Sequence, residues 1–522
     1  MIRLSGITIE NFKNVLYGQI SLSASEEGPS ILGVYGQNGS GKTSLIEALE
    51  LLKYLLQGKT PPRDFSELIH VDSPFAKVTY EFEISLEEAT AGETAAEADS
   101  AAGAPPAAEA TPAAEPAPAG DNAPDTDPTP VYYAIKYAVA FRSGQGQLAD
   151  GLADAPAIID IFSEQLSYAP MKNGHPGRYF LILDTASGTR PFGPSGRYAL
   201  LFGKQKKLKT DLQYRMEFAR MIGTSAVFCQ DFQAMLEEKH QPSEEADRIV
   251  RLIRELRIFG RQGLFVISKS DIGEISLPSG TLIPMNQSVT ISQGAEEELK
   301  SVIRHMNLVL AEIVPGLEID YRILGRELML DGQGGVQVQL VSEKNEKTIP
   351  LKYESQGIKK IISVLHLLIR VYNQDSITVA IDELDAGIFE YLLGELLRIL
   401  ASKGRGQLIF TSHNLRPLET IDKEYVAFTT TNPEKRYLRM SGVKAASNLR
   451  DFYYRDLQLG GQKEDLYEPT NNYDIALAFR QAGEIKETRE TRQGEAGHPA
   501  ESQQADEPRQ AGAGPSGEDS HA

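Results

Sequence analysis

The stretch that decides the fold is Gly36-Gln37-Asn38-Gly39-Ser40-Gly41-Lys42-Thr43. Before it stands the short apolar run Ile31-Leu32-Gly33-Val34-Tyr35, which is typical of a strand buried on both faces of a parallel sheet. After it, apolar residues recur at helical spacing, at Leu45, Ala48, Leu49 and Leu52. A strand, a glycine-rich turn and a helix therefore follow one another in that order.

This stretch matches the phosphate-binding loop pattern G-x-x-x-x-G-K-[ST]. Its glycines let backbone N–H groups turn toward phosphates, and the helix that follows offers its positive N-terminus to the same anion. We expect Lys42 to neutralise the β and γ phosphates of ATP and the Thr43 hydroxyl to ligate Mg²⁺. A glycine-rich turn that binds nothing is the alternative, and the flanking strand and helix argue against it. The predicted ATP-binding residues here are Gly36, Asn38, Gly39, Ser40, Gly41, Lys42, Thr43 and Ser44.

A second motif lies far along the chain, where the apolar run Ile377-Thr378-Val379-Ala380-Ile381 ends in Asp382 and Glu383. Asp382 is predicted to hold the Mg²⁺ through water, and Glu383 to polarise the attacking water. Strands that end in acidic residues are common. The interpretation of this motif therefore depends on the phosphate loop that precedes it.

Three motifs carry a family resemblance: Ile9-Glu10-Asn11-Phe12-Lys13 near the start, the phosphate loop, and Glu383-Leu384-Asp385-Ala386-Gly387. Together they resemble the heads of SMC, RecF and related ABC-type ATPases, in which an acidic D-loop follows the second motif. The resemblance covers roughly residues 1–85 and 315–430. It implies an α/β fold, that of a P-loop NTPase with an ABC-type split head, in which helices flank a mixed or parallel sheet and a large α+β segment is inserted. It also implies hydrolysis of ATP to ADP and phosphate with Mg²⁺, and a homodimer formed through the heads.

The same resemblance assigns roles to further residues. Glu354-Ser355-Gln356-Gly357-Ile358 opens a helix where this class keeps its signature, so Ser355 and Gly357 would contact the γ-phosphate held by the opposite head. The alternative is an ordinary Ser-x-Gly helix cap. His413 resembles the switch histidine that senses the γ-phosphate or orients the nucleophile, although a lone histidine at a strand end is usually structural. Arg3 is either a phosphate contact or an ordinary surface arginine, and no glutamine is assigned to the Q-loop.

Charge and composition divide the chain. Of the formal net charge of -19, the acidic residues between Glu87 and Pro130 contribute -10 and the segment from Glu484 onward contributes -5, which leaves -4 for the rest. Both segments offer too little apolar surface to fold. We therefore expect ATPase head parts at 1–89 and 315–445, an accessory domain at 131–314, a C-terminal extension at 446–483, and disorder at 90–130 and 484–522.

The composition also limits the functional classes. There is no run of eighteen apolar residues and no secretory signal, so we expect a cytoplasmic protein without a membrane partner. The single cysteine, Cys229, rules out an intramolecular disulfide.

Three functions fit these features. The leading hypothesis is an ATP-driven switch in DNA repair or in defence against foreign DNA. The basic stretch at residues 204–209 would then contact nucleic-acid phosphates, although a solvated helix face explains it equally well. The alternative is a regulatory ATPase that gates a separately encoded effector without binding DNA. An energising subunit of a membrane transporter is disfavoured, because the signature is not Leu-Ser-Gly-Gly-Gln and the inserted segment is large.

Overall fold

A computed structural model describes residues 1–22, 30–86, 131–145, 157–186, 191–268, 273–329, 332–344, 347–442 and 448–495. The segment predicted to be disordered at 90–130 lies outside these residues. The strands are β1 Ile2–Phe12, β2 Val15–Ser21, β3 Ser30–Tyr35, β4 Ala76–Leu86, β5 Val131–Gln145, β6 Ala157–Lys172, β7 His175–Pro176, β8 Phe180–Asp184, β9 Leu264–Ile267, β10 Glu274–Ser276, β11 Leu282–Pro284, β12 Val289–Ser292, β13 Leu317–Leu328, β14 Gly334–Lys344, β15 Lys347–Pro350, β16 Thr378–Ile381, β17 Gln407–Thr411, β18 Val426–Thr429 and β19 Tyr437–Leu438. The helices are α1 Lys42–Gln57, α2 Ser195–Phe202, α3 Lys206–Met221, α4 Gln230–Lys239, α5 Glu244–Ile258, α6 Gln293–Ile313, α7 Gln356–Asn373, α8 Glu390–Lys403, α9 Leu449–Leu459 and α10 Asn472–Glu495.

A sheet with the strand order β19-β18-β3-β17-β16-β9 forms the centre of the nucleotide-binding part. From β18 to β9 neighbouring strands run parallel, and β19 is antiparallel to β18. The carboxyl ends of parallel strands meet at one edge of a sheet. The loop after β3 and the acidic residues after β16 therefore lie at the same edge, separated by the single strand β17. The α/β P-loop fold predicted from the sequence is confirmed.

Both faces of this sheet are covered by apolar side chains, because successive residues of a strand point to opposite faces. On β3, Leu32 and Val34 pack into the same apolar cluster as the leucines of α1. Ile31 and Tyr35 point the other way, into a cluster with α6, α7 and α8. The continuous apolar run that predicted β3 therefore reflects burial on two sides.

A second, antiparallel sheet has the order β2-β1-β4-β5-β6-β7, and β8 also pairs with β6. Strands β4 and β5, which come before and after residues 90–130 in the chain, pair directly from Ala76↔Phe141 to Leu86↔Val131. Strands β5, β6 and β8 thus extend the sheet that begins with β1. Strand β9 likewise serves as the edge of the parallel sheet.

These pairings change the predicted domain boundaries. Residues Met1–Tyr467 form one compact unit, so the predicted accessory domain at 131–314 is not a separate body. Part of the predicted C-terminal extension belongs to that unit, since Leu449 and Tyr453 of α9 are buried in the cluster around α7. A second unit begins at Glu468 and contains α10. Residues 484–495, assigned above to a disordered tail, continue this helix. Among the described helices, none combines the length and the apolar character needed to cross a membrane.

Candidate nucleotide-binding site

The phosphate loop joins β3 to α1 and is held tightly against β18. A Cβ at Gly36 would lie 1.8 Å from Thr429 Oγ1, and the backbone there has a φ of 152°. Only glycine allows this approach. Gly41, the residue before α1, also has a positive φ, of 93°. The glycines of the motif therefore shape a loop that the tertiary structure fixes in place.

Lys42 is the first residue of α1 and is only 6% exposed. Its Nζ donates to the backbone carbonyls of Gly36 and Gln37, both at 2.9 Å. Burial lowers the pKa of Lys42, and the carboxylates of Asp382 and Glu383 oppose that lowering. The ammonium is thus directed into its own loop and lies within the field of both predicted acidic residues.

Thr43 meets the second motif directly. Its Oγ1 donates to Asp382, 3.2 Å from Oδ2. Thr411, at the end of β17, donates to Asp382 Oδ1 at 2.6 Å and accepts from the backbone N–H of Glu383 at 2.8 Å. A hydroxyl and a carboxylate at this spacing are oxygen ligands of the kind that Mg²⁺ prefers. Sequence reasoning missed Thr411, because a threonine at the end of a buried strand carries no signal of its own.

An open cavity of about 310 Å³ lies over the loop. The predicted residues that line it are Asn38, Gly39, Ser40, Gly41, Lys42, Thr43, Ser44, Asp382, Glu383 and His413. Gly36 does not line the cavity, and its carbonyl accepts a hydrogen bond from Lys42. The two segments that carry these side chains are remote in sequence, and the fold brings them to one place.

Lys13 and Asn14 also line this cavity, and the sequence analysis gave them no role. Asn14 Nδ2 donates to the carbonyl of Gly39, and Asn14 Oδ1 accepts from Ser44 Oγ at 3.0 Å. Lys13 forms an ion pair with Glu47 of α1. The sequence signal that could have pointed to these two residues is the motif Ile9-Glu10-Asn11-Phe12-Lys13, which the sequence analysis used only to support the family resemblance.

His413 lies in the cavity wall on a loop that Asp385 organises. Asp385 Oδ2 accepts from the backbone N–H groups of His413 at 3.2 Å and Asn414 at 3.0 Å. The predicted D-loop and the predicted switch histidine are therefore linked by hydrogen bonds.

Ser355 and Gly357 do not line the cavity. The exposed Ser355 caps α7 by accepting from the backbone N–H of Ile358 at 3.3 Å. Gly357 packs on the D-loop so closely that a Cβ would lie 2.2 Å from the carbonyl oxygen of Gly387. The signature segment thus packs on the D-loop, and its Ser355 and Gly357 stay outside the lining of the cavity.

Two open assignments are decided by position. Arg3 lies near the beginning of β1 and donates to the carbonyl of Arg405 at 2.7 Å. Asn14, which contacts the phosphate loop, follows the other end of β1, and this strand of 11 residues spans about 33 Å at the rise of a strand. Arg3 therefore cannot reach a phosphate bound at the loop of its own chain.

The Q-loop position is the second assignment. Next to the first cavity lies another of about 680 Å³, lined by Thr43, Asp382, Glu383 and, after β9, Ser268. No glutamine lines either cavity within the part of the chain that the structure describes.

A buried strand, a phosphate loop at a helix N-terminus and a strand that ends in Asp-Glu beside that loop define a P-loop NTPase. A family model described as an AAA domain matches residues 6–100. No curated protein matches the chain.

Solved structures similar to the chain include an SMC head bound to the C-terminal winged-helix domain of ScpA, with 14% identity over 85% of this chain and 98% of that one and a TM-score of 0.37. Another is the recombination mediator RecF with ATP, with 13% identity over 84% and 99% and a TM-score of 0.34. A third is an SMC head with an extended coiled coil from Pyrococcus furiosus, with 11% identity over 84% and 97% and a TM-score of 0.36. The strand order and the loop geometry carry the fold assignment.

Proposed function

We propose that this protein binds ATP with Mg²⁺ and hydrolyses it. The observation that carries the proposal is the meeting of Lys42, Thr43, Asp382 and Glu383 at one cavity. Lys42 would leave its loop carbonyls for the β and γ phosphates. Thr43 and Asp382 would hold Mg²⁺, which neutralises phosphate charge when bound. Glu383 would accept a proton from the attacking water.

The second part of the proposal is that hydrolysis requires two copies of the chain. Ser355 and Gly357 do not line the cavity over their own phosphate loop, so in this proposal another copy presents the γ-phosphate to the signature. ATP would then close a homodimer, and hydrolysis would reopen it.

Glu383→Gln tests the chemistry and the switch together. This variant keeps the shape of the side chain but removes the base. We expect a loss of hydrolysis of at least about a hundredfold, retained ATP binding, and a dimer by light scattering in saturating ATP and Mg²⁺. The double variant with Lys42→Ala is the control and should stay monomeric. A Glu383→Gln protein that remains monomeric with saturating ATP would end the two-copy proposal.

We further propose a nucleic-acid partner, contacted through α3. Lys204, Lys206, Lys207 and Lys209 make no ion pair in the described part of the chain. Further along the same helix Tyr214 is 68% exposed and Phe218 is 52% exposed. They stand four residues apart and so share one helix face. Free lysines beside exposed rings suit a single strand, whose phosphates pair with ammonium groups and whose bases stack.

Fluorescence anisotropy with a labelled single-stranded DNA, measured over a salt series, tests this partner. Neutralising the four lysines should weaken binding and lower the slope of log affinity against log salt by up to about 0.7 per lost phosphate contact. The matched control replaces four exposed lysines elsewhere, Lys300, Lys344, Lys347 and Lys403. If ATP is hydrolysed but no salt-dependent binding occurs, the alternative of a regulatory ATPase that gates a separate effector replaces this one.

A further inference from the structure

Helix α7 carries two consecutive lysines that are both buried. Lys359 is 6% exposed and Lys360 only 1%. Lys359 Nζ donates to the carbonyl of Lys352 at 2.6 Å, in the turn before the signature. Lys360 Nζ points elsewhere and donates to the backbone carbonyl of Asp382 at 3.4 Å. The two ammonium groups thus connect one helix to two different segments.

Burying Lys360 costs free energy that an apolar residue would avoid. The burial lowers its pKa, and the nearby Asp382, Asp385 and Glu383 oppose the lowering without abolishing it. Its neighbours Ile361 and Ile362 show that this helix fills its buried face with aliphatic side chains elsewhere. A lysine at such a position is therefore explained better by what it contacts than by packing.

What Lys360 contacts is the turn that presents the catalytic carboxylate. The carbonyl it binds belongs to the peptide between Asp382 and Glu383, and Glu383 adopts a left-handed backbone conformation with a φ of 46°. A donor on that carbonyl restrains the orientation of this peptide. Because the exposed Ser355 caps the N-terminus of α7, the same helix joins the signature to the acidic residues.

We infer that Lys360 is a positioning residue, which holds the Asp382–Glu383 peptide in place and couples the signature helix to Glu383. The inference rests on the proposed ATPase activity. It predicts that Lys360 affects turnover more than nucleotide binding, since Lys42 and the loop backbone, which would bind the phosphates, lie on other elements.

Lys360→Met, which removes the donor and the charge at similar length, tests this. With the full chain, we expect kcat for ATP to fall by about ten- to a hundredfold, because small misplacements of a catalytic group have effects of this size. ATP affinity, measured by equilibrium binding, should stay within about threefold. Lys360→Arg keeps a donor at this position. Its log kcat should therefore be higher than that of Lys360→Met by at least about a third of the difference between Lys360→Met and the wild type.

Lys359→Met is the matched control, because it removes a neighbouring buried ammonium that does not contact Asp382. It should keep kcat within about threefold of the wild type. Unchanged kcat in Lys360→Met, or equal losses in both variants, would overturn the inference. If Lys360→Met does not fold, as judged by its melting temperature, Lys360→Gln decides: a lowered kcat with unchanged affinity supports the role, and wild-type kcat refutes it. A wild-type protein without hydrolysis refutes the proposed function itself.

Discussion

At the scale of single residues, Thr411 connects the two acidic side chains of the site. Glu383 is held in a left-handed conformation that costs about 1 kcal/mol for a residue with a Cβ. Its N–H donates to Thr411 Oγ1, and the N–H of Leu384 donates to the carbonyl of Thr411. The same hydroxyl donates to Asp382. One buried side chain therefore fixes both the predicted metal ligand and the predicted base.

Thr411→Val should lower kcat for ATP by about ten- to a hundredfold, because partners of metal-binding and catalytic groups typically have effects of this size. The change keeps the volume of the buried side chain and removes only its hydroxyl. Steady-state kinetics at several Mg²⁺ concentrations measure the effect. Thr378→Val is the control, since Thr378 is equally buried but stands at the opposite end of the neighbouring strand. Equal losses in the two variants would contradict the role of Thr411.

His366 on α7 should make folding stability sensitive to acid. Burial, assisted by the charge of Arg370, lowers the pKa of His366 from 6.5 to about 4. The folded state therefore resists protonation, and the contribution of His366 to stability, complete above pH 6.5, is lost as the pH falls toward 4. Relative to His366→Leu, the wild type should lose about 1 to 1.5 kcal/mol between pH 7.5 and 5.5, as measured by urea unfolding. The exposed His175, replaced in the same way, is the control.

At the scale of elements, the two large sheets are joined by the side chain of Gln407, which forms the hydrogen bonds that a neighbouring strand would otherwise form with the backbone of Leu4. The Gln407 amide, 2% exposed at the start of β17, donates to the carbonyl of Leu4 and accepts from its N–H, each at 2.8 Å. Thr378 Oγ1 donates to the Gln407 side-chain oxygen that accepts from the N–H of Leu4. Strand β1 of the antiparallel sheet is thus attached to two strands of the parallel sheet, at the end remote from the nucleotide site.

Gln407→Leu should destabilise the fold by about 2–4 kcal/mol, because it leaves the backbone groups of Leu4 buried without partners. Urea unfolding at neutral pH measures this free energy. Gln19→Leu, on the exposed face of β2, should change it by no more than about 0.5 kcal/mol. If the free energy of unfolding of Gln407→Leu equals that of the wild type, the sheets are joined by apolar packing alone.

At the scale of the whole molecule, the proposed ATPase site is divided between two surfaces of one compact unit. Lys42 and Glu383 line the cavity, whereas Ser355 does not, and the neighbouring Gly357 packs on Gly387. In the two-copy proposal, a complete site combines the loop of one copy with the signature of another. Such an arrangement can be tested by mixing defective chains.

Lys42→Ala and Ser355→Arg should each be nearly inactive alone, for different reasons. The first lacks a working phosphate loop, and the second blocks the signature surface with a large charged side chain. In a mixture, the loop of the Ser355→Arg chain and the signature of the Lys42→Ala chain rebuild one intact site per heterodimer. We expect ATPase activity to recover to about a quarter of the wild-type value, as measured by phosphate release. A mixture no more active than its parts would mean that each chain works alone.

The local part of this protein could be predicted from sequence alone. Strand β3, the phosphate loop and α1 follow from backbone requirements that a few adjacent residues satisfy, and β16 with Asp382 and Glu383 follows from an apolar run that ends in acidic residues. The helix that the signature segment was predicted to open is likewise confirmed, as α7. These features are properties of short segments, so they can be recognised from the local sequence pattern.

Only the tertiary structure decided which segments meet. It assigned β5 and β9 to the two sheets of the head, placed Arg3 at the far end of β1, and brought Thr411 and Lys360 to the acidic turn. Pairing between strands and burial of a single polar side chain depend on residues 22 to 402 positions away, and they require no particular pattern nearby. The sequence therefore determined the loop and its chemistry, whereas long-range packing determined how the rest of the chain supports them.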